Sequence, residues 1–408
     1  MTTYRARILT PSGDGWADWP DGRLDVEDGL VRFAGPWRRA TKWIDLRPHF
    51  IMPGLVDVHA HVPQLPICGV HPGNDLLRWL HKWTYPLEAR FRGPRARTLA
   101  ADFIAEMLAQ GTTTAALYTS AWPDSVHATF EAAASAGIHA WIGPPLMDVG
   151  PYRRASTAAI LDEARQLAAL DTPRLRFAVT PRFALSCSPA LLEGAAEIAR
   201  SLNLPVQAHL AEQVEEVRRV REVFGRSYLD LYAHAGLVGD RSLFAHCVWL
   251  DGRGWRRLAE AGAAVAHCPT SNVFLGSGVM DWKLGSRCRL GLGSDVGAGP
   301  DLSLFRAART AWMVHSLRGL RPSPDELLTA ATRGGAMALG FDTAGSLEPG
   351  KSADFIVLDS TRIVPRGAPE VESTGDLLSR ILHRAGRSTI RQVYVAGRLL
   401  VDTTEHGN

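Results

Sequence analysis

The stretch Pro53-Gly54-Leu55-Val56-Asp57-Val58-His59-Ala60-His61 decides how the rest of the chain is read. Its apolar, β-branched core predicts a strand, and residues two apart on a strand face the same side. His59 and His61 therefore present two imidazoles to one point. A bare H-x-H pair recurs by chance in many sequences, so its meaning depends on its company along the chain.

Working outward, short apolar runs predict further strands over residues 112–119, 139–147, 175–183, 205–211, 243–250, 263–268 and 289–295, with the first over 51–59. Helical spacing fills 98–110, 125–136, 158–170 and 189–202 between them. Strands alternating with helices imply parallel pairing through right-handed crossovers. Eight such units close into a (β/α)₈ barrel, here over residues 51–345. An open doubly wound sheet is the alternative, but no glycine-rich dinucleotide turn follows the first strand. The flanks, 1–50 and 346–408, carry short strand-like pieces separated by Asp, Gly and Pro, including a hairpin turn at Ala396-Gly397. Neither flank has enough apolar surface for a core of its own. They are expected to pair into one small β-sandwich beside the barrel.

Composition narrows the function classes. The 408 residues are 46% hydrophobic and 21% charged with a net charge of +3, the balance of an ordinary globular protein. The only lysines are Lys42, Lys82, Lys283 and Lys351, and the arginines are scattered among acids, so no nucleic-acid tract or membrane-binding helix is expected. Met1-Thr2-Thr3-Tyr4-Arg5 lacks the apolar core of a signal peptide. The five cysteines lie far apart without a C-x-x-C, which fits reduced thiols and a cytoplasmic location.

The company of His59 and His61 sits at other predicted strand ends. His209 ends the fifth strand with Glu212 three residues on; His246, His267 and Asp295 end the sixth, seventh and eighth. A lone histidine on an apolar strand is more often a satisfied core residue than a ligand. Imidazoles and a carboxylate delivered together to the active end of a barrel are better explained by a metal. Zn²⁺ is expected, with iron compatible with the same donors. Such an ion lowers the pKa of water until it is a nucleophile near neutral pH. Glu212 is placed to move the proton, Asp295 to hold the metal and orient the nucleophile, and His246 to steady developing charge. No lysine lies at the fourth strand end, Thr180-Pro181-Arg182-Phe183, so a lysine-bridged pair of ions is not expected.

At these residues the chain resembles the amidohydrolase superfamily, specifically its guanine deaminase branch. The likeness rests on His59-Ala60-His61-Val62-Pro63-Gln64, the Leu76-to-Glu88 segment, Pro181-Arg182-Phe183-Ala184-Leu185-Ser186-Cys187, His209 to Glu212, His246, His267 to Asn272 and Asp295. The closing stretch Gly345 to Asp354 is similar to the family's return from barrel to β-domain. The resemblance implies that His59, His61, His209 and Asp295 hold one metal ion and that Glu212 shuttles the proton. It also implies Gln64, Trp79, Arg182, Phe183 and His209 as substrate contacts. Arg182 suits the adjacent O6 and N7 acceptors of guanine, Gln64 the ring amide edge, and Phe183 and Trp79 the purine face. Surface ion pairing for Arg182 and core packing for Trp79 are the bland alternatives. The segment with Pro66, Cys68 and His71-Pro72, and the loop Val296 to Asp301, depart from the family pattern and bear on specificity. The expected reaction is hydrolysis of guanine to xanthine and ammonia by a homodimer. The alternatives are another aminopurine, a pterin or an aminotriazine on the same metal site, and a catalytically silent scaffold.

Overall fold

At Gly54 the chain passes from one sheet into another, and this crossing organises the molecule. The computed structural model describes residues 1–70, 76–369 and 373–403. Before the crossing lie β1 (Thr2–Ser12), β2 (Gly15–Glu27), β3 (Leu30–Pro36) and β4 (Ile44–Pro53). Then come β5 (Leu55–His61), β6 (Thr112–Tyr118), β7 (His139–Gly143), β8 (Leu175–Phe177), β9 (Val206–Leu210), β10 (Ser242–His246), β11 (Ala264–His267) and β12 (Arg289–Leu292). The chain ends with β13 (Phe355–Leu358), β14 (Ile390–Val395) and β15 (Arg398–Asp402).

Strands from both termini share one seven-stranded sheet in the order β15-β14-β13-β4-β1-β2-β3. Tyr4 and Tyr394 stand three strands apart in that order, roughly 14 Å along a flat sheet. Their ring centroids are only 5.4 Å apart, so the sheet folds over on its own apolar face as a sandwich. Val31 N donating to Lys351 O at 2.9 Å ties the far edge back toward β13.

The barrel strands pair in parallel as β5-β6-β7-β8 and β9-β10-β11-β12. A parallel bridge between Val179 and Val206 joins the two groups on one side. On the other, Asp295 N donates to His59 O at 2.8 Å and His61 N to Val296 O at 3.1 Å. The predicted first strand, 51–59, is corrected here: residues 51–53 belong to the terminal sheet. Pro53-Gly54 ends that pairing, and a Cβ on Gly54 would lie 2.1 Å from Thr113 Oγ1, so only glycine passes through.

Period-2 alternation assigns the faces. Val56, Ala116, Trp141, Ala178, Leu243, Ala245, Ala264 and Ala266 meet in one interior cluster. Ala115, Leu117, Phe177, Val179, Phe244 and Val265 point outward to the helices. The helix Arg333–Leu339 contributes Ala336, Ala338 and Leu339 to the interior cluster, against the starts of β5 and β12. It plugs the end opposite the histidines. Asp354 ties the sheet to the barrel: its backbone O accepts from Gly54 N at 2.9 Å, and its carboxylate lies 3.3 Å from His139 Nδ1 on β7.

Several predicted strands overshoot. Residues 247–250 and 293–295 have left the ladders, and 144–147 and 178–183 stay paired only through the bridges Leu146–Pro181 and Val179–Val206 as the chain runs into loops at the C-terminal end of the barrel. A helix absent from the sequence reading, Thr374–Arg384, buries Leu377, Leu378, Ile381 and Leu382 against the barrel layer.

Gly143, the last residue of β7, tests the packing at that end. A Cβ there would sit 2.1 Å from both Ala178 O and Thr180 Oγ1. Gly143→Ala is expected to cost about 1–3 kcal/mol by overpacking, read as a lower urea midpoint with unchanged slope.

Candidate active site

Four side chains converge at the C-terminal mouth. One ligand atom from each of His59, His61, His209 and Asp295 lies within 4.8 Å of all the others. His61 Nε2 is 3.2 Å from His59 Nε2 and 3.2 Å from His209 Nε2. Asp295 Oδ1 is 3.2 Å from both His59 Nε2 and His61 Nε2. Ligands about 2.0–2.1 Å from a tetrahedral ion stand about 3.3 Å from one another. The donor set and its spacing thus fit a single divalent cation.

The protonation pattern suits a metal as well. Burial holds His59 below the usual imidazole range, His61 at about 4 and His209 well below it. All three are neutral at pH 7 and offer lone pairs. Burial opposes the charge on Asp295, but its contacts with the His59 and His61 imidazoles prevail and hold its carboxyl well below the ordinary range. His209 Nδ1 meets Arg182 O at 2.7 Å, which puts the proton on Nδ1 and leaves Nε2 free for the cation.

Backbone distortion aims these residues. Ala211 (φ 51°), His246 (φ 71°), Cys247 (φ 51°) and Asp295 (φ 49°) all occupy the left-handed region where the strands end. Alternation along β10 points Leu243 and Ala245 inward and Phe244 outward, so His246 would face out on a regular strand. Its positive φ turns it back. His246 Nε2 then lies 3.6 Å from Glu212 Oε2 and 3.8 Å from Asp295 Oδ2, with Nδ1 anchored to Asn272 Oδ1 at 2.9 Å.

His267 does not join them. It follows outward-facing Val265 by two residues, and its Nε2 contacts His315 Nε2 at 3.2 Å behind the strand. Its place at a strand end is therefore no sign of ligation; the period-2 rule takes it to the helix layer.

Glu212 borders the cluster. Its Oε1 accepts from Ser277 Oγ at 3.1 Å, and burial, with Asp295 and Glu216 nearby, pushes its carboxyl well above the ordinary range. Above it lies a small cavity lined by Gln64, Trp79, Arg182, Phe183, His209 and Glu212 among others. Trp79 is buried and packs with Leu80, Tyr85 and Phe183, so it is at once core and cavity wall. Arg182 is an ion-pair residue, but a buried one: Nη1 donates to Glu88 Oε2 at 2.5 Å and Nη2 to Glu88 Oε1 at 3.0 Å. Two of its five N–H groups are thereby committed, so the full fork expected for O6 and N7 reduces to the remaining three.

Other site residues carried no motif. Tyr118 places its ring 4.9, 4.7 and 5.1 Å from those of His59, His61 and His209. Asp57 accepts from His59 N at 3.1 Å and Ser294 N at 3.0 Å, and burial raises its carboxyl to about 7. Gln213 bridges loops, accepting from Leu76 N at 3.0 Å and donating to Leu275 O at 3.2 Å. Pro66 lies in the short helix Val62–Ile67, whereas His71 and Pro72 lie outside the described residues. In the loop after β12, Gly297 N donates to Gln64 Oε1 at 3.3 Å.

With the geometry in hand, comparison with known proteins settles the ancestry. Residues 50–400 match the amidohydrolase family. The chain belongs to that family. Amidohydrolase relatives include the guanine deaminase of Escherichia coli, 34% identical over 403 residues, covering 94% of this chain and 91% of that protein. The guanine deaminase of Mus musculus is 31% identical over 381 residues, covering 86% and 83%. The solved structure of a guanine deaminase from C. acetobutylicum with guanine bound superposes with a TM-score of 0.92 at 26% identity, covering 98% of this chain and 100% of that one. No helix among the described residues is long and apolar enough to cross a membrane.

Metal titration tests the cluster directly. One equivalent of Zn²⁺ is expected to bind per chain, and Asp295→Ala or His209→Ala should each lower retained zinc at least about tenfold, measured by elemental analysis after gel filtration.

Proposed function

We propose that this amidohydrolase hydrolyses guanine to xanthine and ammonia with one zinc ion held by His59, His61, His209 and Asp295. The observation that carries the reading is a small cavity over that cluster with a guanidinium, an amide and two aromatic rings on its walls. Relatives named guanine deaminase, 31–34% identical over most of the chain, support it. So does a neighbour solved with guanine in its active site.

A divalent ion at the cluster supplies the Lewis acidity that makes water nucleophilic near neutral pH. The remaining work falls to the chain's own residues. Arg182 and Gln64 hold the polar edges of the ring, and Phe183 with Trp79 confines its faces. This sets C2 toward the cluster and keeps bulk water out. Glu212 takes the proton from the attacking water and gives it to N3, then assists protonation of the exocyclic nitrogen. Its raised affinity for a proton suits both halves of that transfer. His246, anchored by Asn272, steadies charge around the attacked carbon. Oxygen bonds to C2, the C2–N bond breaks, and nitrogen leaves as ammonia. A cytoplasmic location and a homodimeric state complete the proposal at the level of family expectation.

Xanthine formation from guanine by the zinc-loaded chain, followed by ultraviolet absorbance and ammonia release, tests the assignment. Turnover of another amino-heterocycle with none of guanine would discard it. Glu212→Gln is expected to keep its zinc yet lose about 10²–10⁴ in kcat, since proton transfer alone is removed. Arg182→Ala should raise KM for guanine at least about tenfold and relax discrimination at the 6-position.

A further inference from the structure

Glu88, at the end of the helix Tyr85–Glu88, plays no part in the chemistry described so far. Yet it is 4% exposed and holds two of the side chains assigned to the substrate. Its Oε1 accepts from Gln64 Nε2 at 2.8 Å and from Arg182 Nη2 at 3.0 Å, while Oε2 accepts from Arg182 Nη1 at 2.5 Å. The Tyr85 ring closes over the guanidinium at 5.1 Å. Gln64 is held at its other end too, because Gly297 N donates to its Oε1 at 3.3 Å.

Two physical consequences follow. A terminal amide has two N–H groups and one carbonyl oxygen, and only its orientation decides which faces the ligand. A carboxylate on one side and a backbone N–H on the other leave Gln64 a single orientation. Arg182 is in turn a buried cation whose charge is balanced at contact distance. A ligand that brought its own negative charge to the guanidinium would compete with Glu88 for the same N–H groups and meet its charge at short range, where water screens little.

We propose that Glu88 is the specificity-determining positioning residue of the cavity: one carboxylate fixes Arg182 and Gln64 together and reserves the site for uncharged heterocycles bearing an oxo group. This rests on Arg182 and Gln64 being the heterocycle contacts. Removing the carboxylate charge should both loosen the wall for guanine and open the guanidinium to anions. A residue that merely supported the fold would weaken every ligand alike.

The test uses the zinc-loaded protein with guanine as substrate and purine-6-carboxylate as competitor. Glu88→Gln is expected to raise KM for guanine at least about tenfold with kcat within about threefold. The inhibition constant of purine-6-carboxylate should fall at least about tenfold in the same variant. Glu88→Asp keeps the charge but is too short to span both partners; it should raise KM for guanine while still rejecting the carboxylate. Glu88→Gln combined with Arg182→Met should lose the new affinity for the anion. Equal weakening of both ligands in Glu88→Gln, or wild-type guanine kinetics in Glu88→Asp, overturns the proposal. If Glu88→Gln does not fold, the aspartate variant decides alone. A wild type that forms no xanthine, with a Glu88→Gln variant that gains the anion, removes the guanine assignment and leaves Glu88 its role. A wild type that forms xanthine, with a variant that gains nothing, does the reverse.

Discussion

Three imidazole nitrogens and a carboxylate oxygen crowded to 3.2 Å spacings set the terms for everything around them. Neutral imidazoles turned lone pair to lone pair repel one another, and buried ones have no water to turn toward. Such a cluster persists only when a rigid frame holds it and a cation completes it. The barrel supplies the frame, because closure between β5 and the segment after β12 runs through the ligands' own backbone: Asp295 N donates to His59 O. Left-handed backbone at Ala211, His246 and Asp295 costs of order 1–3 kcal/mol per residue. The apolar layers on either side of the strands offset it.

The same rigidity links the histidine cluster to the cavity beside it. Arg182 contributes its carbonyl to His209 Nδ1 and its guanidinium to the cavity wall, so one residue fixes an imidazole's tautomer in the cluster and borders the cavity. Asp57 joins the ends of β5 and β12 from beneath, and Gln213 joins the Leu76 segment to the Leu275 loop above. The cavity is therefore built from loops whose polar atoms are already committed to one another. What stays open to a ligand is a small cavity with directed polar groups on its wall.

Much of this was legible in the residues. Alternating apolar runs and helical spacings give a closed barrel because parallel strands with right-handed crossovers have few other outcomes. The terminal strand pieces predict a shared sheet because neither flank could bury a face alone. Helix Thr374–Arg384 escaped notice because its apolar face is completed by the barrel layer rather than by its own length. Strand ends were overshot for a related reason: apolar residues continue past the ladder to wall the site, and periodicity does not distinguish a paired residue from a lining one.

The amino-acid sequence by itself determined the barrel, the position of His59, His61, His209 and Asp295 at its active end, and the family, since each follows from spacing and residue type. Tertiary structure alone decided that His246 turns inward while His267 turns away, since one positive φ overrides the alternation that places the other. It alone brought Glu88, ninety-four residues from Arg182 along the chain, into contact with that guanidinium. Long-range pairing of this kind leaves no local pattern, because its partners share a cavity and not a segment.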